Sequence, residues 1–492
     1  MANGFDNEKY IKLQSEEILN RTKKFNKMYI EFGGKLFDDL HASRVLPGFQ
    51  PDAKVKVLEK IKDKCEIIFC ISSKDIVRNK IRADYGTSYS QEVFRLMNRL
   101  RNCGLYVSAV VITLYEGQPQ VEKFANELKR KGERVYFHTF TKGYPDDVDR
   151  IVSDEGYGQN PYIETTKPVV VVTAPGPASG KLATCLCQLY HEYKMGVNAG
   201  YAKFETFPIW NLSLDNPTNI AYECATADLK DVNMVDFYHL KAYGENAVNY
   251  NRDLELFPVL KKILEKISGK SEYNSPTDMG VNMAGFAICN NEIVRKASEQ
   301  EIIRRYMVGK VQFVKGQTDA ETLERLKMLM SKAGLKEEDR VITVENKKIA
   351  NDCKLPVVSL KLKTGEIIHG KMKNIISATS ACILNAIKFL AQIDDEKIII
   401  DSKIFMPILA LKSKTFDTAI KTLSIEDVLV ALSICSNYDN DATIALQKLN
   451  ELKGCDLHSS YILSAKEEKI LKLLRISVTS EPTFLNNDDI EW

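Results

Sequence analysis

One segment combines the residue types that bind phosphate. Pro168–Gln188 reads PVVVVTAPGPASGKLATCLCQ, an apolar run that leads through a turn to Gly180-Lys181 and then to a helical pattern. Strand, glycine-containing turn and helix in this order are the context that a phosphate-binding loop requires. Backbone N–H groups and a helix N-terminus attract phosphate, and a lysine adds a full positive charge. The segment therefore predicts a site for a nucleotide or a phosphorylated metabolite.

The segment departs from the standard pattern G-x-x-x-x-G-K-[ST] near both of its ends. Pro175 stands where the first glycine belongs, and Leu182 stands where a serine or threonine holds Mg²⁺. Ser179 or Thr184 could replace the missing hydroxyl. The predicted cofactor-binding residues of this loop are Gly176, Ser179, Gly180, Lys181 and Thr184. The alternative interpretation is a tight strand-to-helix turn that exposes a lysine.

A second glycine-lysine segment follows the short apolar run MYIEF near the start of the chain. Gly33-Gly34-Lys35 would let a ligand approach the backbone closely. His41 and Arg44 follow three residues apart, which makes them neighbours on one face of a helix. These five residues predict a further anion-binding site. The alternative is a surface helix with ordinary charges.

Carboxylates for a metal ion are predicted in Ile151–Gly158, which reads IVSDEGYG. Asp154 and Glu155 follow a short apolar stretch, as in a loop at the end of a strand, where sites of α/β proteins collect. They would hold Mg²⁺, with phosphate oxygens completing its coordination. A solvated acidic loop is the alternative. We expect no zinc site, because the 11 cysteines include no C-x-x-C pair.

Polar residues in the middle of the chain predict a wall that faces a second substrate. Lys203 and Glu205 lie two residues apart on a predicted strand, and therefore on one side of it. Arg252 stands beside Asp253 in NYNRD. The predicted catalytic residues are Lys181, Asp154, Glu205, Arg252 and Asp278. Well-bonded irregular structure is the alternative for this region.

The elements that would position these residues predict an α/β fold. Runs that are apolar throughout, such as Cys65–Ser72 and Val169–Thr173, indicate strands covered on both faces. Helical patterns between them indicate right-handed crossovers and a doubly wound, mainly parallel sheet in the amino-terminal two-thirds. Farther along, a strand is predicted at Arg340–Val344 and a β-hairpin at Pro356–Lys363 and Glu366–Lys371.

The predicted domains are three. Residues 1–165 form an amino-terminal, Rossmann-like α/β region, and residues 166–333 hold the loop and the substrate residues. Residues 334–492 form a smaller carboxy-terminal α/β or α+β domain. A chain of 492 residues fits about three domains of average size.

Composition excludes several classes of protein. Lys+Arg is 68 and Asp+Glu is 66, and this balance argues against a dedicated nucleic-acid-binding protein. Hydrophobic residues make up 44% and charged residues 27%, which is typical of globular domains with buried cores. No apolar stretch approaches the about 20 residues that cross a bilayer. With no signal-peptide pattern, we expect a cytoplasmic protein that has no membrane partner.

Several long segments together resemble one uncharacterised bacterial family, catalogued as domain of unknown function 1846. The segments are FGGKLFDDLHASRVLPGF, IVSDEGYGQNPYIET, VVTAPGPASGKLATCLCQLYHE, GYAKFETFPIWNL, NYNRDLELFP, NSPTDMGVNMAG and LRISVTSEPTF. The resemblance implies a cytoplasmic bacterial protein with an α/β amino-terminal part and a separate carboxy-terminal domain. It implies no activity and no catalytic residues.

The residues themselves favour an enzyme that binds a nucleotide or a phosphorylated metabolite. Phosphoryl transfer or an ATP-dependent ligation is the expected reaction, with Mg²⁺ and ATP or another nucleotide as cofactors. The alternative is a ligand-sensing or scaffold protein with a degenerate phosphate-binding loop, which the missing hydroxyl after Lys181 favours. The expected partners are a small phosphorylated molecule and further copies of the chain, since homo-oligomers are common.

Overall fold

The structure is a computed structural model, and it describes residues 3–82, 86–270, 272–414 and 422–485. It contains two compact units, residues 2–298 and residues 299–492. The strands of the first unit are β1 (Lys27–Phe32), β2 (Cys65–Ser72), β3 (Ile81–Arg82), β4 (Thr87–Ser88), β5 (Tyr106–Thr113), β6 (Val135–Phe137), β7 (Val169–Thr173), β8 (Ala199–Phe204), β9 (Asn233–Val235), β10 (Val248–Tyr250) and β11 (Gly280–Val281).

The helices of the first unit alternate with these strands. They are α1 (Asn7–Thr22), α2 (Leu40–Val45), α3 (Ala53–Lys60), α4 (Ser73–Val77), α5 (Tyr89–Asn102), α6 (Pro119–Arg130), α7 (Val148–Ile151), α8 (Lys181–Lys194), α9 (Pro217–Ala225), α10 (Phe237–Tyr243), α11 (Asn251–Ser268) and α12 (Pro276–Met279). A longer helix, α13 (Asn291–Val314), contains the boundary between the two units.

A seven-stranded parallel sheet forms the centre of the first unit. Its strand order is β11-β8-β1-β7-β2-β5-β6. Strands β2 and β7 are buried along their whole length, as their uninterrupted apolar sequences predict. The predicted fold class, a doubly wound α/β protein with a parallel sheet, is confirmed.

Helices cover both faces of this sheet. Tyr29 of β1 and Val170 and Val172 of β7 pack with the apolar residues of α8 and α11 on one face. Met28 and Ile30 point to the other face by the two-residue alternation of a strand, and there α1 contacts β1 while α5 contacts β2 and β5. Both faces of the sheet are therefore covered by helices and buried.

The chain changes its direction of progress across the sheet at β7. From β2 to β5 to β6 the connections move towards one edge, and α5 lies on one face. From β7 to β8 the connection moves towards the opposite edge, and α8 lies on the opposite face. Because β7 lies between β1 and β2, the carboxyl ends of these three strands surround the point of reversal. Ligands of open α/β sheets bind in crevices at such points.

The second unit contains a smaller mixed sheet with the order β13-β12-β14-β15, in which β12 is antiparallel to both neighbours and β14 is parallel to β15. Its strands are β12 (Val357–Lys361), β13 (Ile367–Lys371), β14 (Asp456–Ser459) and β15 (Ser477–Ser480). Its helices are α14 (Ala320–Lys332), α15 (Val341–Cys353), α16 (Ala378–Leu390), α17 (Ser402–Lys414), α18 (Ile425–Cys435), α19 (Asn440–Gln447) and α20 (Ala465–Leu473).

Two predictions for this unit had different outcomes. The β-hairpin is confirmed as β12 and β13. The strand predicted at Arg340–Val344 is wrong, because Val341 begins α15. Ile342 and Asn346 of that helix are buried four residues apart, so packing along one helical face outweighs the β-branched run VITV. Among the described helices, none is long and apolar enough to cross a membrane.

Candidate functional site

The loop 174–180 leaves β7 at the carboxyl edge of the seven-stranded sheet. Glu31 of β1 pairs with Val172, and Phe69 of β2 pairs with Thr173, so the loop begins between the ends of these two neighbours. Gly33 follows β1 at the same edge. The two predicted glycine-lysine segments thus follow adjacent parallel strands at the same carboxyl edge of the sheet.

Close contacts fix the shape of the loop 174–180. Gly180 has a φ of +81°, and a Cβ at this position would lie 2.8 Å from Cγ2 of Thr113 at the end of β5. The Thr113 hydroxyl donates a hydrogen bond to the carbonyl of Ser179 at 3.0 Å. Gly176 lies against the ring of Tyr89, where any side chain would collide. The two glycines are therefore required by close approach and, at Gly180, by a left-handed backbone.

The N-terminus of α8 has free backbone donors. Gly180 is its N-cap and has no side chain that could accept a hydrogen bond from the first turn. The first backbone hydrogen bond of the helix joins the Thr184 N–H to the Gly180 carbonyl at 3.0 Å, so the N–H groups of Lys181, Leu182 and Ala183 precede the helical ladder. Such a terminus carries partial positive charge, to which Lys181 adds a full charge. The arrangement is able to bind an anion.

The two hydroxyls predicted to hold Mg²⁺ are occupied within the protein. Ser179 is buried and donates to the Gly176 carbonyl at 2.7 Å. Thr184 is also buried and donates to the Gly180 carbonyl at 3.0 Å. These bonds hold the turn and the first helical turn in place. Both hydroxyls therefore support the backbone rather than project towards a ligand.

Asp154 and Glu155 lie away from Lys181. Asp154 accepts a hydrogen bond from the Tyr190 hydroxyl at 2.7 Å and contacts Lys194, the last residue of α8. A 14-residue helix is about 20 Å long, and Lys181 is its first residue. Glu155 pairs instead with Arg150 at 3.5 Å. The structure does not bring these carboxylates to the loop.

The side chains that were predicted to bind Mg²⁺ are therefore not assembled around Lys181. Across the part of the chain that the structure describes, no group of three or more His, Cys, Asp or Glu side chains could hold a metal ion. The expected Mg²⁺ ligands Asp154 and Glu155 lie at the far end of α8, and Ser179 and Thr184 are engaged with carbonyls. The residues present do not fit the predicted Mg²⁺ site.

Glu31 is a charged residue of this edge that sequence analysis missed. It lies within the strand β1 and accepts a hydrogen bond from the buried Tyr201 hydroxyl at 2.9 Å. Burial raises the pKa of the Cys185 thiol, an effect that Glu31 reinforces and Lys181 opposes. Glu31 and Lys181 therefore have opposite effects on the pKa of the same buried thiol. A single acidic residue inside an apolar strand was the available signal.

Lys203 and two carboxylates form a second charged group, which we call the Lys203 cluster (Lys203, Glu205 and Asp253). The Lys203 ammonium lies 2.8 Å from Oε1 of Glu205 and also contacts Asp253 in the first turn of α11. Burial alone would lower the pKa of Lys203, but the carboxylates of Asp253 and Glu205 raise it above its usual value. Burial raises the pKa of the Glu205 carboxyl, which the Lys203 ammonium opposes.

The surroundings of the Lys203 cluster are aromatic and charged. The Lys203 ammonium lies 5.8 Å from the centre of the Tyr250 ring, within cation–π range. Arg252 donates to Asp231 at 2.9 Å, and burial raises the pKa of that carboxyl although Arg252 opposes the shift. Sequence reasoning placed Lys203, Glu205 and Arg252 together, and the structure brings all three to one region of the carboxyl edge.

The segment after β1 is shaped by packing. The Gly33 N–H donates to the Phe204 carbonyl at 3.1 Å, and a Cβ at Gly34 would lie 3.0 Å from the Lys54 ammonium. Lys54 is buried and pairs with Asp39 at 2.8 Å. Lys35 is exposed at this edge.

His41 and Arg44, the two residues of α2 that were predicted to bind an anion, lie in different surroundings. The His41 ring packs against the rings of Phe207 and Tyr222, with both pairs of ring centres 5.5 Å apart. Arg44 is half-buried on the same short helix. His41 is thus part of an aromatic cluster beside the edge.

Asp278 has a structural role at the start of α12. Its carboxylate accepts hydrogen bonds from the backbone N–H groups of Asn274 at 2.9 Å and Ser275 at 3.1 Å. The Tyr243 hydroxyl donates to the same oxygen at 2.8 Å. Three donors to one oxygen make Asp278 a capping residue, and the structure does not place it with the Lys203 cluster.

The fold and this edge define a class: doubly wound parallel α/β proteins in which a strand, a glycine turn and an uncapped helix meet where the sheet connections reverse. The chain belongs to the family of domain of unknown function DUF1846. Its N-terminal domain matches residues 3–334, and its C-terminal domain matches residues 338–489.

Curated relatives carry the name UPF0371 protein. One from Clostridium tetani (strain Massachusetts / E88) is 54% identical over 493 residues, which cover 98% of each chain. One from Fusobacterium nucleatum is 54% identical over 497 residues, again 98% of each chain. One from Clostridium botulinum (strain Kyoto / Type A2) is 54% identical over 495 residues, 99% of each chain. This name states no activity.

Proposed function

We propose that this protein binds a nucleotide or a phosphorylated metabolite at the carboxyl edge of the seven-stranded sheet, with a phosphate at the N-terminus of α8. The observation that carries the proposal is the place of that terminus: it has no side-chain cap and follows β7, where the connections of the sheet reverse. The N–H groups of Lys181, Leu182 and Ala183 would donate to phosphate oxygens. The Lys181 ammonium would neutralise part of their charge.

The remainder of the ligand would lie towards the Lys203 cluster. Strand β8 is separated from β7 by β1 alone, and strands in a sheet are about 4.8 Å apart, so β8 lies about 10 Å from β7. A small molecule anchored by its phosphate would span that distance. The ammonium of Lys203 would stabilise negative charge that develops on the reacting group.

Glu205 is the candidate proton carrier in this arrangement. Burial raises the pKa of its carboxyl, and groups with shifted pKa values in a crevice serve in acid–base catalysis. Glu205 would exchange a proton with the reacting group while Asp253 keeps the Lys203 ammonium charged. A nucleotide-dependent transfer or ligation at the Lys203 cluster is the reaction that this placement favours.

A second candidate is binding without turnover, in a sensing or scaffold protein. The observation that favours it is that the hydroxyls of Ser179 and Thr184 bond to backbone carbonyls and that Asp154 pairs with Lys194. Phosphoryl transfer from a nucleotide ordinarily uses a metal ion beside the phosphate. A ligand affinity that is the same with and without Mg²⁺ would favour this candidate over an enzyme.

Calorimetric titration tests the binding proposal. The wild-type chain, Lys181→Ala and Lys194→Ala are titrated with inorganic phosphate, ATP, GTP and NAD, each with and without MgCl₂. We expect at least one phosphate compound to bind the wild type. Lys181→Ala should weaken that binding at least tenfold, about 1.4 kcal/mol. Lys194 is the matched control, because it is a lysine at the other end of the same helix.

Two outcomes would overturn the proposal. If none of the four compounds binds the wild-type chain, phosphate binding at α8 is wrong. If Lys194→Ala weakens binding as much as Lys181→Ala, the effect is general charge and the site is elsewhere. A Glu205→Gln variant that binds the same compound with unchanged affinity but without turnover would support the catalytic assignment.

A further inference from the structure

Tyr89 is a buried residue whose hydroxyl has no partner within the described part of the chain. The residue is 7% exposed, and no described group forms a hydrogen bond with its hydroxyl. Solvent still reaches the hydroxyl oxygen, because it does not belong to the fully enclosed polar atoms. Buried polar groups are as a rule hydrogen-bonded, and each exception requires an explanation such as a binding or catalytic role.

The Tyr89 hydroxyl lies directly against the loop 174–180. A Cβ at Gly176 would collide with the hydroxyl oxygen and with the ring atoms next to it. The Ser179 hydroxyl donates to the Gly176 carbonyl at 2.7 Å, so the loop folds back on itself just before the first turn of α8. Tyr89 therefore contacts one end of the loop whose other end forms the proposed phosphate site.

The loop lacks backbone donors at the place that Tyr89 contacts. Gly176 stands between Pro175 and Pro177, and proline has no N–H group. Loops of the G-x-x-x-x-G-K type surround a chain of phosphates with successive backbone N–H groups. A tyrosine hydroxyl is also a hydrogen-bond donor. The Tyr89 hydroxyl thus stands where two of the usual donors are missing.

The backbone around Tyr89 is held by several hydrogen bonds. Tyr89 is the first residue of α5, and its N–H donates to the Lys80 carbonyl at 2.9 Å. Ser88, the residue before it, forms a reciprocal capping box with Gln91. The ring is buried as well. The hydroxyl is therefore preorganised, and a ligand that accepts its hydrogen bond does not have to order the side chain first.

Positive charge lies next to this hydroxyl. The Lys80 ammonium is 4.9 Å from the centre of the Tyr89 ring and 3.4 Å from the carboxylate of Asp75. The Lys80 side chain is 42% exposed, so a ligand in solution can reach it. Between β2 and β4, the described residues include three exposed basic side chains and one carboxylate, namely Lys74, Arg78, Lys80 and Asp75. The excess of positive charge favours an anion beside Tyr89.

We propose that Tyr89 and Lys80 bind a second phosphate of the ligand, next to the phosphate at the N-terminus of α8. The inference rests on the proposed function and narrows its ligand to compounds with two linked phosphates, such as a nucleoside diphosphate or triphosphate. The Tyr89 hydroxyl donates a hydrogen bond to an oxygen of the second phosphate. The Lys80 ammonium stabilises the charge of that phosphate. A compound with a single phosphate leaves both groups unused.

Calorimetric titration of the full chain with inorganic phosphate and inorganic pyrophosphate tests the inference. We expect the wild type to bind pyrophosphate about tenfold more tightly than phosphate or better. Tyr89→Phe removes the hydroxyl and keeps the ring, and Lys80→Gln removes the charge. Each should weaken pyrophosphate binding by about fivefold or more and leave phosphate binding unchanged. Lys181→Ala should weaken the binding of both anions.

Tyr190→Phe is the matched control, because it removes a tyrosine hydroxyl that bonds to Asp154, away from Lys181. It should bind both anions as the wild type does. Thermal unfolding of each variant ensures that affinities are compared between folded proteins.

Three results would overturn the inference. If Lys181→Ala weakens binding but Tyr89→Phe and Lys80→Gln bind pyrophosphate as the wild type does, the second phosphate site is wrong and the first remains. If Tyr89→Phe weakens the binding of both anions equally, the hydroxyl supports the loop instead of a second phosphate. If the wild type does not prefer pyrophosphate, the diphosphate class is wrong, and the titrations with ATP, GTP and NAD decide the proposed function separately.

Discussion

Lysine–carboxylate ion pairs occur both at the carboxyl edge of the seven-stranded sheet and at the far end of α8, but they differ in how far they are exposed to water. At the carboxyl edge, Lys203 contacts Glu205 and Asp253, and the side chains are 24%, 10% and 24% exposed. At the far end of α8, Lys194 contacts Asp154, and these side chains are 54% and 76% exposed. Water screens an exposed pair, whereas a buried charge depends on its partner. Contact distance alone therefore does not show how strongly an ion pair depends on its partner; the burial of the two side chains must be known as well.

The largest expected difference between the two ion pairs is the loss of stability when the lysine of each is replaced. Lys203→Met leaves two carboxylates of the Lys203 cluster without their cation, and we expect the free energy of unfolding to fall by about 3 kcal/mol. Lys194→Met should change it by less than about 1 kcal/mol, because Asp154 is solvated. Urea unfolding followed by far-ultraviolet circular dichroism measures both.

A second substitution sharpens this comparison. If the loss in Lys203→Met comes from uncompensated carboxylates, Lys203→Met with Asp253→Asn should recover part of it. Equal small losses for Lys203→Met and Lys194→Met would contradict the contrast. They would mean that water reaches Glu205 and Asp253 as freely as it reaches Asp154.

The glycines next to the two ends of α8 offer a second contrast. Gly180 and Gly196 have φ values of +81° and +78°, so alanine at either position costs about 1–2 kcal/mol in the left-handed region. Gly180 also lies against Thr113, whereas a Cβ at Gly196 would have no described heavy atom within 4 Å apart from its own chain neighbours. We expect Gly180→Ala to be more destabilising and to weaken phosphate binding at least tenfold. Gly196→Ala should leave binding unchanged.

Calorimetry and thermal unfolding of the two glycine variants measure these effects side by side. Unchanged phosphate affinity in a folded Gly180→Ala protein would contradict the assignment of the phosphate to the N-terminus of α8. A loss of affinity in Gly196→Ala would show that the whole helix, rather than its first turn, is sensitive to strain.

The central strands of the sheet could be predicted from the sequence, because each is an uninterrupted apolar run. The uninterrupted apolar runs of β2 and β7 indicated a parallel sheet, because strands covered on both faces have no polar alternation. The same kind of evidence was wrong at Arg340–Val344, where burial of Ile342 and Asn346 on one helical face decides the structure. β-Branched propensity is weaker than packing.

The candidate site was predictable only in part. Lys203 and Glu205 were paired correctly because strand alternation is local. Asp154 was assigned to the loop of Lys181 because both follow apolar runs, yet one lies at each end of α8. Thr113 contributes to the loop through the strand order, which residue spacing does not encode. Contacts between residues that the topology brings together can be identified only from the structure.

The smallest expected effect is a difference in the sign of pH dependence. Burial raises the pKa of Glu205, so the folded protein holds this proton more tightly than the unfolded chain. The contribution of Glu205 to stability therefore falls as pH rises from the ordinary glutamate value of about 4.3 through the raised one. At Asp154 the hydrogen bond from Lys194 lowers the pKa, so its contribution is present above the ordinary aspartate value and is lost as pH falls.

Urea midpoints of the wild type, Glu205→Gln and Asp154→Asn between about pH 2 and pH 7, a range that extends below the ordinary carboxyl values, measure this difference. The wild type should lose stability relative to Glu205→Gln as pH rises, since glutamine cannot release a proton. Relative to Asp154→Asn it should gain stability as pH rises from the acid end. Slopes of the same sign would contradict the contrast between the buried and the exposed carboxylate. Opposite slopes would show that folding raises the pKa of Glu205 and lowers the pKa of Asp154.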